Sequence, residues 1–152
     1  MSVQSGSRQL LIRGMTLVLA GLVWGLAVPN TPYPRLALGA HIQFVTNGML
    51  FVVLATALLA LPHGVGLRSV RVMVLAAWLT WVMAMSEVAN SWWGTTKMLP
   101  IAASQAGATG GMPLQELIVS VAHVAAGAGL IVAWALLIVG FLKRPAAPGP
   151  GG

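Results

Sequence analysis

The chain has 152 residues, of which 58% are hydrophobic and only 7% charged, with a mean hydropathy of +0.89 and a formal net charge of +6. A water-soluble domain carries about 25% charged residues, so this composition excludes one and describes an all-α integral membrane protein, a single domain by its length. There is no cysteine, which excludes disulfides, thiolate chemistry and zinc–thiolate sites. The basic residues stand singly at segment ends, the pattern that sets topology in a bilayer rather than one that binds nucleic acid.

The opening MSVQSGSRQLLIRG runs into an apolar stretch with no convincing small-residue cleavage site. Leu10 to Val28 therefore reads as a first spanning helix and not a removed signal peptide. Arg13 lies one turn inside and can snorkel, and Gly21 and Gly25 form a small-xxx-small pair suited to close helix packing. The run from Pro29 to Pro34 ends this helix, since proline cannot continue it, and Tyr33, the only tyrosine, sits in that turn. The second span, Leu36 to Leu61, contains no charged residue, yet its first half carries His41, Gln43, Thr46 and Asn47. After Pro62 comes a short loop with Arg68 and Arg71.

A third span covers Val72 to Trp93 and holds Trp78, Trp81, Ser86, Glu87, Asn90 and Ser91. It closes on Trp92-Trp93-Gly94, as an interfacial aromatic belt does. Residues 94–113, rich in Gly, Ala, Ser and Thr, form a connection of the length expected for a lid or a disordered segment. The fourth span, Leu114 to Leu142, starts with Gln115-Glu116, which suits a helix N-terminus. It ends at Lys143 and Arg144. Residues 1–144 thus form one membrane domain, a four-helix transmembrane bundle, and the Pro/Gly-rich tail 145–152 reads as disordered. Four spans put both termini on one side with Arg8, Arg13, Arg68, Arg71, Lys143 and Arg144, against Arg35 and Lys97 on the other. That bias predicts cytoplasmic termini in a bacterial-type inner membrane.

Polar groups at membrane depth cost free energy unless paired or used, so each is a candidate functional residue. At about 100° per residue, Gln43, Thr46 and Asn47 share an arc of the second helix. His41 points away from them, with Phe44 and Gly48. One chain therefore cannot offer His41 and Asn47 to one small molecule from the same face, whereas two neighbouring subunits can. Glu87, Asn90, Ser91 and Gly94 share a face of the third helix, and Glu87 is one of only two acidic residues. On the fourth helix Glu116, Ser120, His123 and Gly127 form a heptad-like seam. Thr46, Ser86, Ser91 and Ser120 read as interhelical hydrogen-bonding groups, and so does His123. Glu116 reads as an interfacial helix-start residue and His63 as a solvated loop residue. His41 and Glu87 stand out, because imidazole and carboxyl are costly at that depth. The residues alone leave three classes open. One is a membrane enzyme with a His-ligated cofactor such as haem. Another is a small transporter with Glu87 as its proton-coupled site, and the third is a b-type cytochrome ligated by His41 and His123.

Two passages carry a resemblance. The first is GAHIQFVTNGML, residues 39–50. The second is GTTKMLPIAAS, residues 94–104, followed by MPLQE, residues 112–116. Together they resemble the hydroxylaminobenzene mutases, and the AH-x5-NG pattern at Ala40, His41, Asn47 and Gly48 is also similar to styrene oxide isomerase. The resemblance implies a redox-neutral isomerase of an arylhydroxylamine or an aryl epoxide, acting on a small aromatic substrate as a homo-oligomer, a trimer in styrene oxide isomerase. It implies haem b, ligated between subunits by the residue matching His41, with Phe44 and Gly48 beside it and Asn47 positioning the substrate. Where styrene oxide isomerase uses a third-helix tyrosine, this chain has none, and Glu87 lies near the corresponding depth. That departure favours the mutase reading, with Glu87 and Asn90 moving the proton and with Gln43, Trp78 and Trp81 walling the pocket.

Overall fold

A computed structural model describes residues 1–143. Among them there is no strand, and four helices are long and apolar enough to cross a membrane. Arg144 and the tail 145–152 lie outside the described residues.

The first helix, α1, spans Val3–Ala27 and begins seven residues before Leu10, where hydropathy alone starts it. The early start is a capping box: the Ser2 hydroxyl accepts from the Ser5 amide at 3.1 Å while the Ser5 hydroxyl accepts from the Ser2 amide at 2.9 Å. A single 3-10 turn, Val28–Asn30, absorbs Pro29. Helix α2, Pro34–Ala60, opens with proline at its first position, where the missing N–H costs nothing. Helix α3, Leu67–Trp93, takes Arg68 and Arg71 into its first turns rather than leaving them in a loop. Its end is fixed by Gly94 at φ 63°, a left-handed cap. The ring of Tyr33 packs so closely on Gly94 that an added Cβ would lie 2.6 Å from it. Both the backbone angle and the space therefore demand glycine there.

The connection from residue 94 to 113 is not open loop. It contains a short helix, α4, Pro100–Ala106, again started by proline and stopped by a left-handed glycine, Gly107 at φ 69°. The last helix, α5, spans Pro113–Leu142.

Helix α1 lies along α2, α5 lies along α3, and α2 and α3 cross at the centre. Leu10, Leu17, Phe51, Leu54 and Met73 are fully buried in this core. Leu26, Ile131 and Leu142 face outward and are mostly exposed, as lipid-facing side chains are. The α1–α2 contact is made backbone to backbone. A Cβ on Gly14 would lie 2.8 Å from the Gly48 carbonyl oxygen, and one on Gly48 would lie 2.8 Å from the Gly14 carbonyl oxygen. Small residues allow this approach, which is how helices associate where no hydrophobic force operates between them.

Gly48→Val is expected to destabilise the bundle by about 1–3 kcal/mol through overpacking. Gly127→Ala, where an added Cβ meets nothing within 4 Å, is the control expected to lose nothing. Thermal unfolding in one detergent compares the two.

Candidate active site

Glu87 sits on α3 with no exposed surface, and Asn90, one turn further on, is equally closed. Opposite them on α5 is His123, which is 7% exposed. The Nε2 atom of His123 lies 3.2 Å from Oε1 of Glu87, although the two are not aligned as a hydrogen bond. The other imidazole nitrogen, Nδ1, is 2.8 Å from the Val119 carbonyl and donates to it. Glu87 Oε2 and the Asn90 Nδ2 amide also have no hydrogen-bond partner among the described residues. Glu87 Oε2 points toward Gly39 of α2, 3.6 Å from where a Cβ would stand. Leaving such groups unpaired costs about 1–3 kcal/mol each, so this is a polar cluster that the chain itself does not satisfy.

Asn90 has a second task. Its Oδ1 accepts from the Thr95 amide at 2.9 Å and the Thr95 hydroxyl at 2.7 Å, which ties the end of α3 to the connection that follows.

On α2, His41 turns toward α1. Its Nδ1 is 2.8 Å from the Gly21 carbonyl, so Nδ1 carries the hydrogen, and the ring lies against Gly25. Phe44 and Gly48 share that α1-facing side: Phe44 touches Gly21 and makes an edge-on contact with Trp81 at 5.8 Å between ring centres. Asn47 is buried on another face and donates from Nδ2 to Gln43 Oε1 at 2.9 Å. Thr46 is exposed. The separation of His41 from Gln43 and Asn47 is therefore present in the folded chain.

The tryptophans lie elsewhere. Trp78 is nine residues from Glu87, half a turn round the helix at about 100° per residue, so the two leave α3 on opposite sides. Trp78 and Trp81 line a groove of about 440 Å³ between α1 and α3, with Gln9, Ile12, Arg13 and Thr16. The Arg13 guanidinium stacks 3.9 Å above the Trp78 ring. Trp78 does not wall the same space as Glu87 within one chain, because the two lie on opposite faces of one helix, and Trp81, six residues from Glu87, stands about 120° round from it.

Several polar residues hold structure. The Ser86 and Ser91 hydroxyls donate to carbonyls of their own helix, Met83 and Glu87, and not across to a neighbour. His63 is no solvated loop residue. Its Nε2 donates to the Leu58 carbonyl at 3.0 Å and its Nδ1 accepts from the Val65 amide at 3.1 Å, which pins the α2–α3 turn. Glu116 does more than start α5. Its carboxylate accepts from the amides of Thr96 at 2.9 Å, Lys97 at 3.0 Å and Gly111 at 3.2 Å. It thereby closes residues 94–113 onto the end of the bundle. The GTTKMLPIAAS and MPLQE passages, seven residues apart in sequence, meet at this carboxylate.

Sequence reading missed the pairing of His123 with Glu87. Of the seam of Glu116, Ser120, His123 and Gly127, Glu116 and His123 are buried while Gly127 borders open space, and periodicity does not say which residue of which helix lies opposite.

Four spanning helices around a buried carboxyl–imidazole–amide cluster define a small membrane protein with a polar site in its interior. The family model for styrene oxide isomerase matches residues 6–142, and the chain belongs to that family, which makes it an isomerase. Hydroxylaminobenzene mutase HabA of Ectopseudomonas oleovorans is 30% identical over 132 residues, covering 86% of this chain and 94% of that protein. Hydroxylaminobenzene mutase HabB of the same organism is 30% identical over 142 residues, 92% of this chain and 84% of its own length. No solved structure matches.

Glu116→Gln is expected to loosen the connection. Hydrogen bonds to a charged group are worth about 1.5–3 kcal/mol, so the amides of Thr96, Lys97 and Gly111 should exchange with deuterium roughly tenfold faster or more. Hydrogen-exchange mass spectrometry reads this directly.

Proposed function

We propose that this isomerase converts an arylhydroxylamine to a 2-aminophenol inside the bilayer. The observation that carries the reading is the unsatisfied Glu87 carboxyl, fully buried at membrane depth in a chain whose two curated relatives carry the name hydroxylaminobenzene mutase. The reaction moves a hydroxyl from nitrogen to a ring carbon with no net redox change. An N–O bond breaks, a C–O bond forms, a ring C–H bond gives up its proton, and an N–H bond forms. A group that accepts one proton and returns one is all the acid–base chemistry required, and a carboxyl does this.

The resemblance also brings haem b into the proposal, and the chain's donors fit it. His41 donates from Nδ1 to the Gly21 carbonyl, which leaves Nε2 with a free lone pair in the tautomer an axial imidazole needs. Among the described residues no three His, Cys, Asp or Glu side chains gather to hold an ion, so a metal ligated by His41 would come with donors of its own, as a porphyrin does. When bound, ferric haem would supply a Lewis acid for the negative charge that develops on the substrate oxygen.

The protein's own groups do the rest. Asn47 turns its amide from Gln43 to the substrate and orients it. Glu87 Oε2, free of any partner, takes the ring proton, and Asn90 Nδ2 supplies a donor beside it. Phe44 and Gly48 border His41, and the apolar helices exclude water that would divert a nitrenium-like species. Trp78 and Trp81 line the groove by which a small aromatic substrate enters from lipid. His41 and Asn47 lie on different faces of α2, so a homo-oligomer, as in a trimer, would bring His41 of one chain to Asn47 and Glu87 of the next. The charge bias supports cytoplasmic termini in a bacterial-type inner membrane.

The bis-histidine cytochrome loses ground on geometry. His41 faces α1, whereas His123 faces α3 and is taken up by Glu87.

Purified protein is assayed with arylhydroxylamines and aryl epoxides. Glu87→Gln is expected to lower kcat by about 10²–10⁴-fold, and His41→Ala to remove both the haem absorbance and turnover. Wild-type turnover in Glu87→Gln would sink the proposed proton transfer. Preferential conversion of epoxides to aldehydes would move the reading to styrene oxide isomerisation, and proton-coupled flux without turnover would move it to a transporter.

A further inference from the structure

We propose that Glu87 and His123 hold one proton between them and act as a single acid–base unit, with His123 as the positioning residue that keeps Glu87 ready to accept. The inference rests on the reading of Glu87 as the group that takes the ring proton, and it adds a residue to which that reading gave no part.

A carbonyl oxygen can only accept, so the 2.8 Å contact of His123 Nδ1 with the Val119 carbonyl places a hydrogen on Nδ1. In neutral His123 the other nitrogen, Nε2, then carries a lone pair and no hydrogen. Nε2 lies 3.2 Å from Glu87 Oε1, within ion-pair distance though not aligned as a hydrogen bond. Were Glu87 ionised and His123 neutral, two acceptors would confront each other with no proton between them. Both residues are closed to solvent, so water cannot relieve the clash, and a lone carboxylate in an apolar interior is strongly disfavoured. One proton between Oε1 and Nε2 removes the conflict, and in the resting protein it resides on the imidazole.

Among the described residues no other charged group competes for this role. From α2, Gly39 faces Glu87, whose Oε2 lies 3.6 Å from where a Cβ would stand. On α1, Arg13 stacks on Trp78 on the opposite side of α3. Along α5, Glu116 is occupied by the amides of Thr96, Lys97 and Gly111, and the Lys97 side chain is exposed.

The two carboxyl oxygens then have separate duties. Oε1 faces His123, and Oε2 is free for substrate. With the shared proton on Nε2, Glu87 is a carboxylate held by an imidazolium. The ring C–H bond breaks and its proton passes to Oε2 as the C–O bond forms. The same proton then leaves Oε2 to make the new N–H bond. The pair starts and ends with one proton, so none has to be drawn through the bilayer from outside.

The test is isotope-edited infrared spectroscopy of the full-length protein in nanodiscs, without substrate, joined to 15N-histidine NMR. The Glu87 carboxyl band is identified by its loss in Glu87→Gln. At neutral pH the wild type is expected to show a Glu87 carboxylate and a His123 imidazolium, and His123→Gln a protonated Glu87 carboxyl. Turnover of His123→Gln should fall roughly 10–100-fold at neutral pH and recover as pH is raised; loss of a purely structural contact would lower it equally at every pH. A Glu87 band that does not respond to His123→Gln would overturn the proposal. If that variant does not fold, wild-type NMR decides, since a neutral His123 with its hydrogen on Nε2 would equally overturn it. The spectra concern the resting protein, so failure of Glu87 as proton acceptor, seen as an active Glu87→Gln, is separable from failure of the pair.

Discussion

A carboxyl carried into an apolar helix bundle has to find a partner, and the contact between Glu87 and His123 is where this protein meets that demand. Of the described residues these two alone bring an acidic and a basic side chain within 4 Å of each other. Burying a charge without a partner costs far more than any single packing contact returns. The pair marks the face and the height at which α5 meets α3. The rest of that seam conforms: a Cβ on Gly129 would stand only 3.4 Å from Ala76, so small residues let the two backbones come close enough for a 3.2 Å contact across them.

The second carboxylate solves the opposite problem. Glu116 lies at the start of α5, where helix amides and their dipole favour negative charge, and it gathers three more backbone amides from the connection. Both acidic residues of the chain are thus spent inside the protein. The cations have no carboxylate left to pair with, which suits residues placed where lipid phosphates supply the counter-charge. Arg13 instead lays its guanidinium on Trp78, a contact that tolerates a half-buried cation without an anion.

Glycine spacing accounts for the other polar feature. His41 can reach the Gly21 carbonyl only because Gly21 and Gly25 leave α1 without side chains there. The small-xxx-small pair is a packing device, and it is also what fixes the tautomer of His41. Packing and chemistry at this position are the same constraint.

Length, composition and hydropathy were enough to determine an all-helical membrane bundle with four spans, because twenty-odd consecutive apolar residues have few other fates in water or lipid. The 3.6-residue period was enough to separate His41 from Asn47 and to gather Glu87 with Asn90, since side chains on one helix cannot change faces. Helix ends were misplaced wherever capping outweighed hydropathy, as at Ser2, or where proline began a helix inside an apparent loop, as at Pro100. The tertiary structure alone decided the rest: that, among the described residues, His123 is the ionisable group that meets Glu87, and that Glu116 closes the connection. Each depends on the axial register and rotation of one helix against another, set by side-chain packing across the contact, and neither quantity is written in the period of a single helix.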